Sequence, residues 1–217
     1  MSIKILLADD HTLFREGMRS LLQKELNIRI IGEAENGREA VKLALELKPD
    51  VIVMDITMPD LNGMEATRKI RKAIPQIKVI CLSMHSDRRY VVDMFRAGAS
   101  GYLIKSCAYK ELTDAINIVA ANQKYISPQI AHIVIDESIG KQQTKKKAVK
   151  STLTPREREI LQLIAEGKNT KYIAHHLYKS TKTVETHRRN IMRKLKAKSV
   201  AELTRYAISE GIITLDS

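Results

Sequence analysis

Short apolar runs alternate with longer amphipathic segments along the first 125 residues. The apolar runs begin 23 to 26 residues apart and comprise Ile3–Ala8, Ile28–Ala34, Val51–Met54, Ile77–Leu82 and Gly101–Ile104. Each interval accommodates one strand, one helix and two short loops. Because three of the runs are almost wholly apolar, they are typical of strands that are buried on both faces of a parallel sheet. The pattern predicts a doubly wound α/β domain with five parallel strands in the order 2-1-3-4-5.

The segments between these runs are predicted to form amphipathic helices. In the first of them, Leu13, Met18, Leu21 and Leu22 are expected to share one apolar face. A final helix over Ala108–Ala121 is expected to close the domain.

The last third of the chain is patterned as short helices instead. Thr154 and Glu157, with Pro155 between them, form the signature of a capping box at the start of a helix. Further helices are predicted over Lys171–Leu177, from Ser180 to about Leu195, and from a second capping box at Ser199 and Glu202 to Gly211. Two short helices joined by a tight connection at Tyr178 and Lys179 predict a helix-turn-helix within an all-α four-helix domain.

A polar and charged stretch without periodicity separates the two patterned regions, and we expect it to be a flexible linker. Ser127 and Pro128 could start a short helix within it, extending to about Asp136. The sequence therefore predicts an α/β domain over residues 1–125, a linker over residues 126–150 and a helical domain over residues 151–217.

Positive charge is concentrated in the C-terminal part of the chain. Residues 141–217 hold 18 basic and 7 acidic residues, a net charge of +11, whereas residues 1–140 hold 19 basic and 18 acidic residues. A concentrated positive field favours a polyanionic partner, and nucleic acid is the expected one. The chain has no run of 18 apolar residues and its N-terminus lacks a signal-peptide pattern, so we expect a cytoplasmic protein without a membrane partner. Its two cysteines, Cys81 and Cys107, suit a reducing compartment.

Polar residues stand where the predicted strands end. Asp9 and Asp10 follow the first strand, Asp55 the third, Ser83 the fourth and Lys105 the fifth. The carboxyl ends of parallel strands border one crevice, so these side chains are expected to converge. Carboxylates that converge repel one another unless a cation lies between them, and oxygen ligands favour Mg²⁺. A lysine and a hydroxyl could hold a phosphoryl group, and the Asp55 carboxylate could form an aspartyl-phosphate.

Residues 1–125, which include these polar residues, resemble a receiver domain of a two-component response regulator. The resemblance rests on Asp9-Asp10, on Asp55-Ile-Thr-Met-Pro59 with Gly63, on Leu82-Ser83 and on Gly101-Tyr102-Leu-Ile-Lys105, which stand in the family's order and spacing. Residues 153–208 resemble the LuxR-type helix-turn-helix, and the two halves together resemble the NarL/FixJ type.

The resemblance implies a metal site and a phosphorylation site. Asp10, Asp55 and the backbone carbonyl of Thr57 would ligate Mg²⁺, with Asp9 assisting through a water molecule. Asp55 would take a phosphoryl group from a sensor histidine kinase.

The resemblance also implies a switch. Lys105 would bind the phosphoryl group, Ser83 would move towards it, and Tyr102 would change rotamer together with Ser83. Phosphorylation would then alter DNA-binding competence, either by forming a homodimer or by releasing the DNA-binding domain.

The predicted helix that begins at Ser180 has an apolar side and a polar side on a helical wheel. The polar side carries residue types that contact base edges and phosphates, namely Lys182, Thr186, Arg189 and Arg193, flanked by Glu185 and Asn190. The resemblance supports Lys182, Thr186 and Arg189 as contacts to double-stranded DNA. Glu185 is a departure, because many relatives carry a basic residue there, so the preferred DNA sequence should differ from theirs.

We interpret the chain as a transcriptional regulator and not as an enzyme. A haloacid-dehalogenase-like phosphatase also forms an aspartyl-phosphate, but it needs a second Asp two residues after the first, where this sequence has Thr57. A protein-binding adaptor that never touches DNA is the other alternative, and the charge of +11 on residues 141–217 argues against it.

Overall fold

The computed structural model describes residues 2–84, 86–107, 109–131 and 153–213. The chain divides into two compact units, one that contains the elements up to residue 131 and one that contains the elements from residue 153. Within these described ranges, no helix combines the length and the apolar character needed to cross a membrane.

The first unit is built on one parallel sheet. Its strands are β1 (Ile3–Ala8), β2 (Ile28–Ala34), β3 (Val51–Asp55), β4 (Lys78–Ser83), β5 (Gly101–Ile104) and β6 (Tyr125–Ile126). They pair in the order β2-β1-β3-β4-β5-β6, and every pairing is parallel. The helices are α1 (Thr12–Leu22), α2 (Gly37–Leu47), α3 (Gly63–Ala73), α4 (Arg88–Ala97) and α5 (Tyr109–Ala120). The predicted α/β fold and the order of its first five strands are confirmed.

The sheet carries one more strand than the sequence pattern predicts. β6 is two residues long and pairs with β5, with Gly101 opposite Tyr125 and Tyr102 opposite Ile126. A strand of this length has no measurable periodicity, which is why the pattern did not reveal it. A 3₁₀ turn over Pro128–Ile130 follows where the short helix was predicted. The rest of the predicted linker, from residue 132, lies outside the described residues.

The four inner strands, β1, β3, β4 and β5, are largely buried because helices cover the sheet. Ile5 and Leu7 of β1 and Val53 of β3 pack in one cluster with Leu112 and Ile116 of α5. Burial of each such side chain stabilises the fold by about 1.5–3 kcal/mol. This packing fixes β1 and β3 side by side, and the polar residues at their carboxyl ends are held next to each other.

The apolar face of α1 is narrower than predicted. Met18 and Leu22 are buried, whereas Leu13 is 85% exposed and Leu21 is 39% exposed. Leu13 and Leu22 are nine positions apart, which places them on opposite sides of a helix that turns 100° per residue. The expectation that all four leucine and methionine side chains share one face was therefore wrong.

The second unit contains α6 (Pro155–Ala165), α7 (Thr170–His176), α8 (Thr181–Leu195) and α9 (Val200–Ser209). The capping box predicted at α6 is present, since the Glu157 N–H donates to Thr154 Oγ1 at 3.2 Å and the Thr154 N–H donates to Glu157 Oε2 at 2.7 Å. At α9 the Glu202 N–H donates to Ser199 Oγ at 3.2 Å, but the Glu202 carboxylate accepts from the Lys198 N–H instead. The second predicted capping box is therefore only half formed.

α7 and α8 form the predicted helix-turn-helix. Between them, Tyr178 adopts a φ of +52°, in the left-handed region, and its side chain is 91% exposed. The core of the unit is formed by the inner sides of the helices, where Ile160, Val184, Ile191 and Leu203 are fully or almost fully buried. The opposite side of α8 is left at the surface.

Candidate functional site

Three charged side chains meet at the carboxyl end of the sheet. Asp9 follows β1, Asp55 ends β3 and Lys105 follows β5. The Lys105 Nζ atom lies 2.8 Å from Asp9 Oδ2 and 2.8 Å from Asp55 Oδ2, and the three side chains are between 1% and 7% exposed. One ammonium group therefore bridges two buried carboxylates, as the positions of these residues at the strand ends led us to expect.

Asp10 and His11 extend this cluster. One ligand atom from each of Asp9, Asp10, His11 and Asp55 lies within 4.8 Å of the others. Asp10 Oδ1 is buried and accepts no hydrogen bond from the described residues, although His11 Nδ1 lies 3.1 Å from it. Carboxylate oxygens at this spacing fit a hard divalent cation. His11 was not predicted as part of this cluster, because imidazole is not a preferred ligand of such ions.

The loop after β3 holds the Asp55 backbone and side chain. The Thr57 N–H donates to Asp55 Oδ1 at 3.2 Å. The Gly63 N–H donates to the carbonyl of Ile56 at 2.8 Å, which brings the start of α3 against the end of β3. Residue 63 can approach this closely because glycine has no Cβ.

Burial and charge set the protonation of the cluster. Burial raises the pKa of Asp55 from its ordinary value of 3.8 to about 6; Lys105 opposes this rise, and Asp9 adds to it. Burial would lower the pKa of Lys105, but the charges and hydrogen bonds of Asp55 and Asp9 outweigh burial and leave this pKa above its ordinary value. Lys105 is therefore charged at neutral pH, and the Asp55 carboxylate is less stable than it would be in water.

Ser83 and Tyr102, the two predicted switch residues, are neighbours. Ser83 ends β4, its backbone carbonyl accepts from the Lys105 N–H at 2.7 Å, and its side chain is hydrogen-bonded to Tyr102. Tyr102 is fully buried in β5, and burial raises the pKa of its hydroxyl well above the ordinary value. The structure thus links Lys105 to Tyr102 through a single serine.

The predicted DNA-contacting residues lie on one side of α8. Five of them are exposed and one is half-buried: the exposed residues are Lys182, Glu185, Thr186, Arg189 and Arg193, and the half-buried one is Asn190. Val184 and Ile191, on the other side of the helix, are buried. Ser180 caps α8 by accepting from the Thr183 N–H at 3.1 Å. The helical wheel drawn from the sequence therefore assigned these residues to the correct side of α8.

Not every basic side chain of α8 belongs to this exposed face. Lys194 Nζ lies 2.6 Å from Glu157 Oε2, so Lys194 links α8 to the capping box of α6. Arg193 Nη2 contacts Asn190 Oδ1 at 3.4 Å and remains on the exposed side.

Comparison with known proteins agrees with this geometry. Residues 5–117 match the response regulator receiver domain, and residues 151–207 match the bacterial regulatory proteins of the luxR family. The chain is 37% identical to transcriptional regulatory protein DegU of Brevibacillus brevis, over 96% of this chain and 94% of DegU. It is 38% identical to response regulator GacA of Pseudomonas aeruginosa, over 97% of this chain and 98% of GacA.

A solved structure shows the same relationship. The crystal structure of a LuxR-family two-component response regulator from Aurantimonas sp. SI85-9A1 is 37% identical, with a TM-score of 0.61, over 64% of this chain and 99% of that one. The two matched families cover most of the α/β unit and most of the helix-turn-helix unit. The chain therefore belongs to the NarL/FixJ-type response regulators, transcriptional regulators that join a receiver domain to a LuxR-type DNA-binding domain.

Proposed function

We propose that Asp55 accepts a phosphoryl group from a sensor histidine kinase and that this modification controls binding of the LuxR-type domain to double-stranded DNA. The observation that supports this proposal most directly is the position of Lys105 Nζ, 2.8 Å from Asp55 Oδ2 and 2.8 Å from Asp9 Oδ2. A fixed ammonium group beside a carboxylate can hold the negative oxygens of a phosphoryl group that is transferred to that carboxylate.

The transfer forms a bond between a carboxylate oxygen of Asp55 and phosphorus, while the bond from phosphorus to the imidazole nitrogen of the donor breaks. The leaving nitrogen keeps the electron pair of the broken bond. Lys105 orients Asp55 before transfer and balances the charge of the phosphoryl oxygens afterwards. Because position 57 is Thr57 and not a second aspartate, we assign a single phosphoryl uptake to this site and not the turnover of a phosphatase.

We assign the divalent cation site to Mg²⁺. Asp10, Asp55 and the backbone carbonyl of Thr57 would hold the ion, and Asp9 would assist through a water molecule. The carboxylate oxygens suit this hard ion, and the buried Oδ1 of Asp10, which accepts no hydrogen bond from the described residues, is available to it. When bound, Mg²⁺ neutralises negative charge on the phosphoryl oxygens.

Ser83 and Tyr102 are proposed to convert phosphorylation into a change of shape. A phosphoryl oxygen on Asp55 that recruits the Ser83 hydroxyl would take it away from Tyr102. The Tyr102 ring would then reorient within its cluster, where it packs with Val91 and Met94 of α4. Packed side chains shift between discrete arrangements, so the local change would alter the surface formed by α4 and β5.

The exposed face of α8 is proposed to contact DNA through Lys182, Glu185, Thr186, Arg189, Asn190 and Arg193. Arg189 and Thr186 lie one turn apart nearer the helix start, where a recognition helix meets base edges. Arg193 lies one turn further along, where contacts to phosphate are expected. The charge of +11 on residues 141–217 supports this assignment over a protein-binding adaptor.

The domain limits and the active assembly are part of the same proposal. We assign the receiver domain to residues 1–125, the linker to residues 126–150 and the DNA-binding domain to residues 151–217. The phosphorylated protein would act as a homodimer in the cytoplasm, because paired half-sites on DNA match the two-fold symmetry of a dimer.

Selection of bound fragments from genomic DNA, with and without a small acyl-phosphate donor, tests this function. The wild-type protein should enrich a specific set of fragments more strongly with the donor. Asp55→Asn should give the same enrichment in both conditions. An identical response to the donor in the wild type and in Asp55→Asn would contradict the proposal.

A further inference from the structure

We propose that Arg15 is a positioning residue of the phosphorylation site, which fixes the backbone at Asp9 and thereby sets the affinity of the site for its divalent cation. This inference rests on the proposed function, since it concerns the same cluster of carboxylates. Arg15 itself does not touch the expected positions of the cation or the phosphoryl group.

Every nitrogen of the Arg15 guanidinium has a partner on the first two strands or just after them. Nη1 donates to the backbone carbonyl of Asp9 at 2.6 Å. Nη2 lies 2.7 Å from Glu35 Oε1, and Nε lies 3.1 Å from Glu33 Oε2. The residue is only 5% exposed. A buried arginine on α1 therefore ties the end of β1 to the end of β2.

The bond from Arg15 completes the restraint on Asp9. The Asp9 N–H donates to the carbonyl of Ala34 at 3.1 Å, and Asp9 Oδ1 accepts from the His11 N–H at 2.9 Å. With its carbonyl held by Arg15, the backbone of Asp9 is fixed on both sides. Asp10 is the next residue, so the same restraint holds the two carboxylates close together despite their repulsion.

Holding like charges together before the cation arrives raises the affinity of the site. A relaxed loop would let Asp9 and Asp10 move apart, and the cation would then have to reorder the loop when it binds. Residues that orient the ligands of a metal commonly change its affinity by roughly 10- to 100-fold when they are replaced. Lysine cannot substitute for Arg15, because its single ammonium nitrogen cannot reach the three partners that surround the planar guanidinium group.

Arg19 provides a matched control on the same helix. Its Nη1 lies 3.2 Å from Glu33 Oε1, and its side chain is 44% exposed. Replacing Arg19 removes one positive charge from the same group of ion pairs but leaves the bond from Arg15 to the Asp9 carbonyl in place. A difference between Arg15 and Arg19 variants therefore reports on positioning and not on charge alone.

Titration calorimetry with Mg²⁺ on the full-length protein tests the inference. We expect Arg15→Met and Arg15→Lys to raise the Mg²⁺ dissociation constant by roughly tenfold or more. Arg19→Met should leave the dissociation constant within about twofold of the wild-type value, because exposed ion pairs contribute little energy. Phosphoryl uptake from a small acyl-phosphate donor should need more Mg²⁺ in the Arg15 variants but should reach a similar rate once Mg²⁺ is saturating.

Circular dichroism establishes that each variant is folded, and if Arg15→Met is not, Arg15→Lys decides the question. Equal Mg²⁺ affinities for folded Arg15 and Arg19 variants would overturn the inference while leaving the proposed function intact. If the wild type itself bound no more Mg²⁺ than Asp10→Asn, the metal site would be wrong, and the inference would fail with it.

Discussion

A Cβ atom built at Gly63 would lie 1.8 Å from the backbone carbonyl oxygen of Asp55. This distance is far shorter than any van der Waals contact, and the atom in the way belongs to the backbone of a central strand. Residue 63 therefore controls how closely the start of α3 approaches the proposed phosphorylation site.

We predict that Gly63→Ala lowers the free energy of unfolding of the receiver domain by about 3 kcal/mol or more, since the strand or the helix must shift. Gly17→Ala is the control, because a Cβ at Gly17 on α1 would meet nothing within 4 Å. This second change should raise stability by about 0.5–1 kcal/mol. Urea unfolding followed by circular dichroism measures both, and a neutral Gly63→Ala would show that the close approach is unimportant.

Much of the receiver site could be predicted because it depends on strand ends. Asp9, Asp55 and Lys105 each follow or end an apolar run, and in a parallel sheet such positions converge whatever the details of packing. Arg15 could not be predicted in the same way. Its main partner is the backbone carbonyl of Asp9. Because every residue has a backbone carbonyl, the sequence does not indicate which one accepts a hydrogen bond.

One strand of the fold could not be predicted, for a different physical reason. β6 has two residues and gains its pairing from the free edge of β5, so its existence depends on tertiary structure and not on local pattern. The helices of the second unit were predicted closely, because residues such as Thr154 and Ser180 cap them through local hydrogen bonds.

We predict that the DNA-binding domain loses stability in acid through Glu157. Burial raises the pKa of Glu157, but hydrogen bonds from Lys194 and Thr154 outweigh burial and hold the pKa below its ordinary value of 4.5. A carboxyl whose pKa is lowered by folding stabilises the fold above its unfolded pKa, and this stabilisation is lost as the pH falls through the folded pKa.

Glu157→Gln should therefore cost about 1–2 kcal/mol at pH 7, comparable to the loss of a charged hydrogen bond, and this cost should shrink as the pH falls through the folded pKa of Glu157. Hydrogen exchange of α6 peptides in the full-length protein measures this stability at each pH. Glu185→Gln, at an exposed position on α8, should change the exchange of α6 little. A cost for Glu157→Gln that did not depend on pH would rule out the ion pair with Lys194 as its source.

We predict that residues 150–217 fold and bind DNA without the rest of the chain, because their apolar residues form a cluster of their own. Their affinity should fall steeply as salt is raised, since released counterions drive contacts to phosphate. Circular dichroism and fluorescence anisotropy with labelled DNA test this. A folded fragment that failed to bind any DNA at low salt would favour an adaptor over a DNA-binding regulator.

We predict different effects for the two exposed arginines of α8. Arg189→Ala should relax the preference at one base position by about 1–3 kcal/mol, because arginine can bind guanine O6 and N7 together. Arg193→Ala should weaken all sequences alike and reduce the salt dependence by about one counterion. Binding to a panel of operators with single-base changes separates the two. The reverse pattern would mean that the helix meets DNA in a different register.

The proposed function depends above all on Asp55 as the acceptor of one phosphoryl group. Intact mass spectrometry after incubation with a small acyl-phosphate donor and Mg²⁺ measures this directly. The wild-type protein should gain the mass of a single phosphoryl group and should lose this gain when Mg²⁺ is chelated. Asp55→Asn should gain nothing under the same conditions. Undiminished labelling of Asp55→Asn would contradict the assignment of Asp55 as the acceptor, because the phosphoryl group would then be held elsewhere.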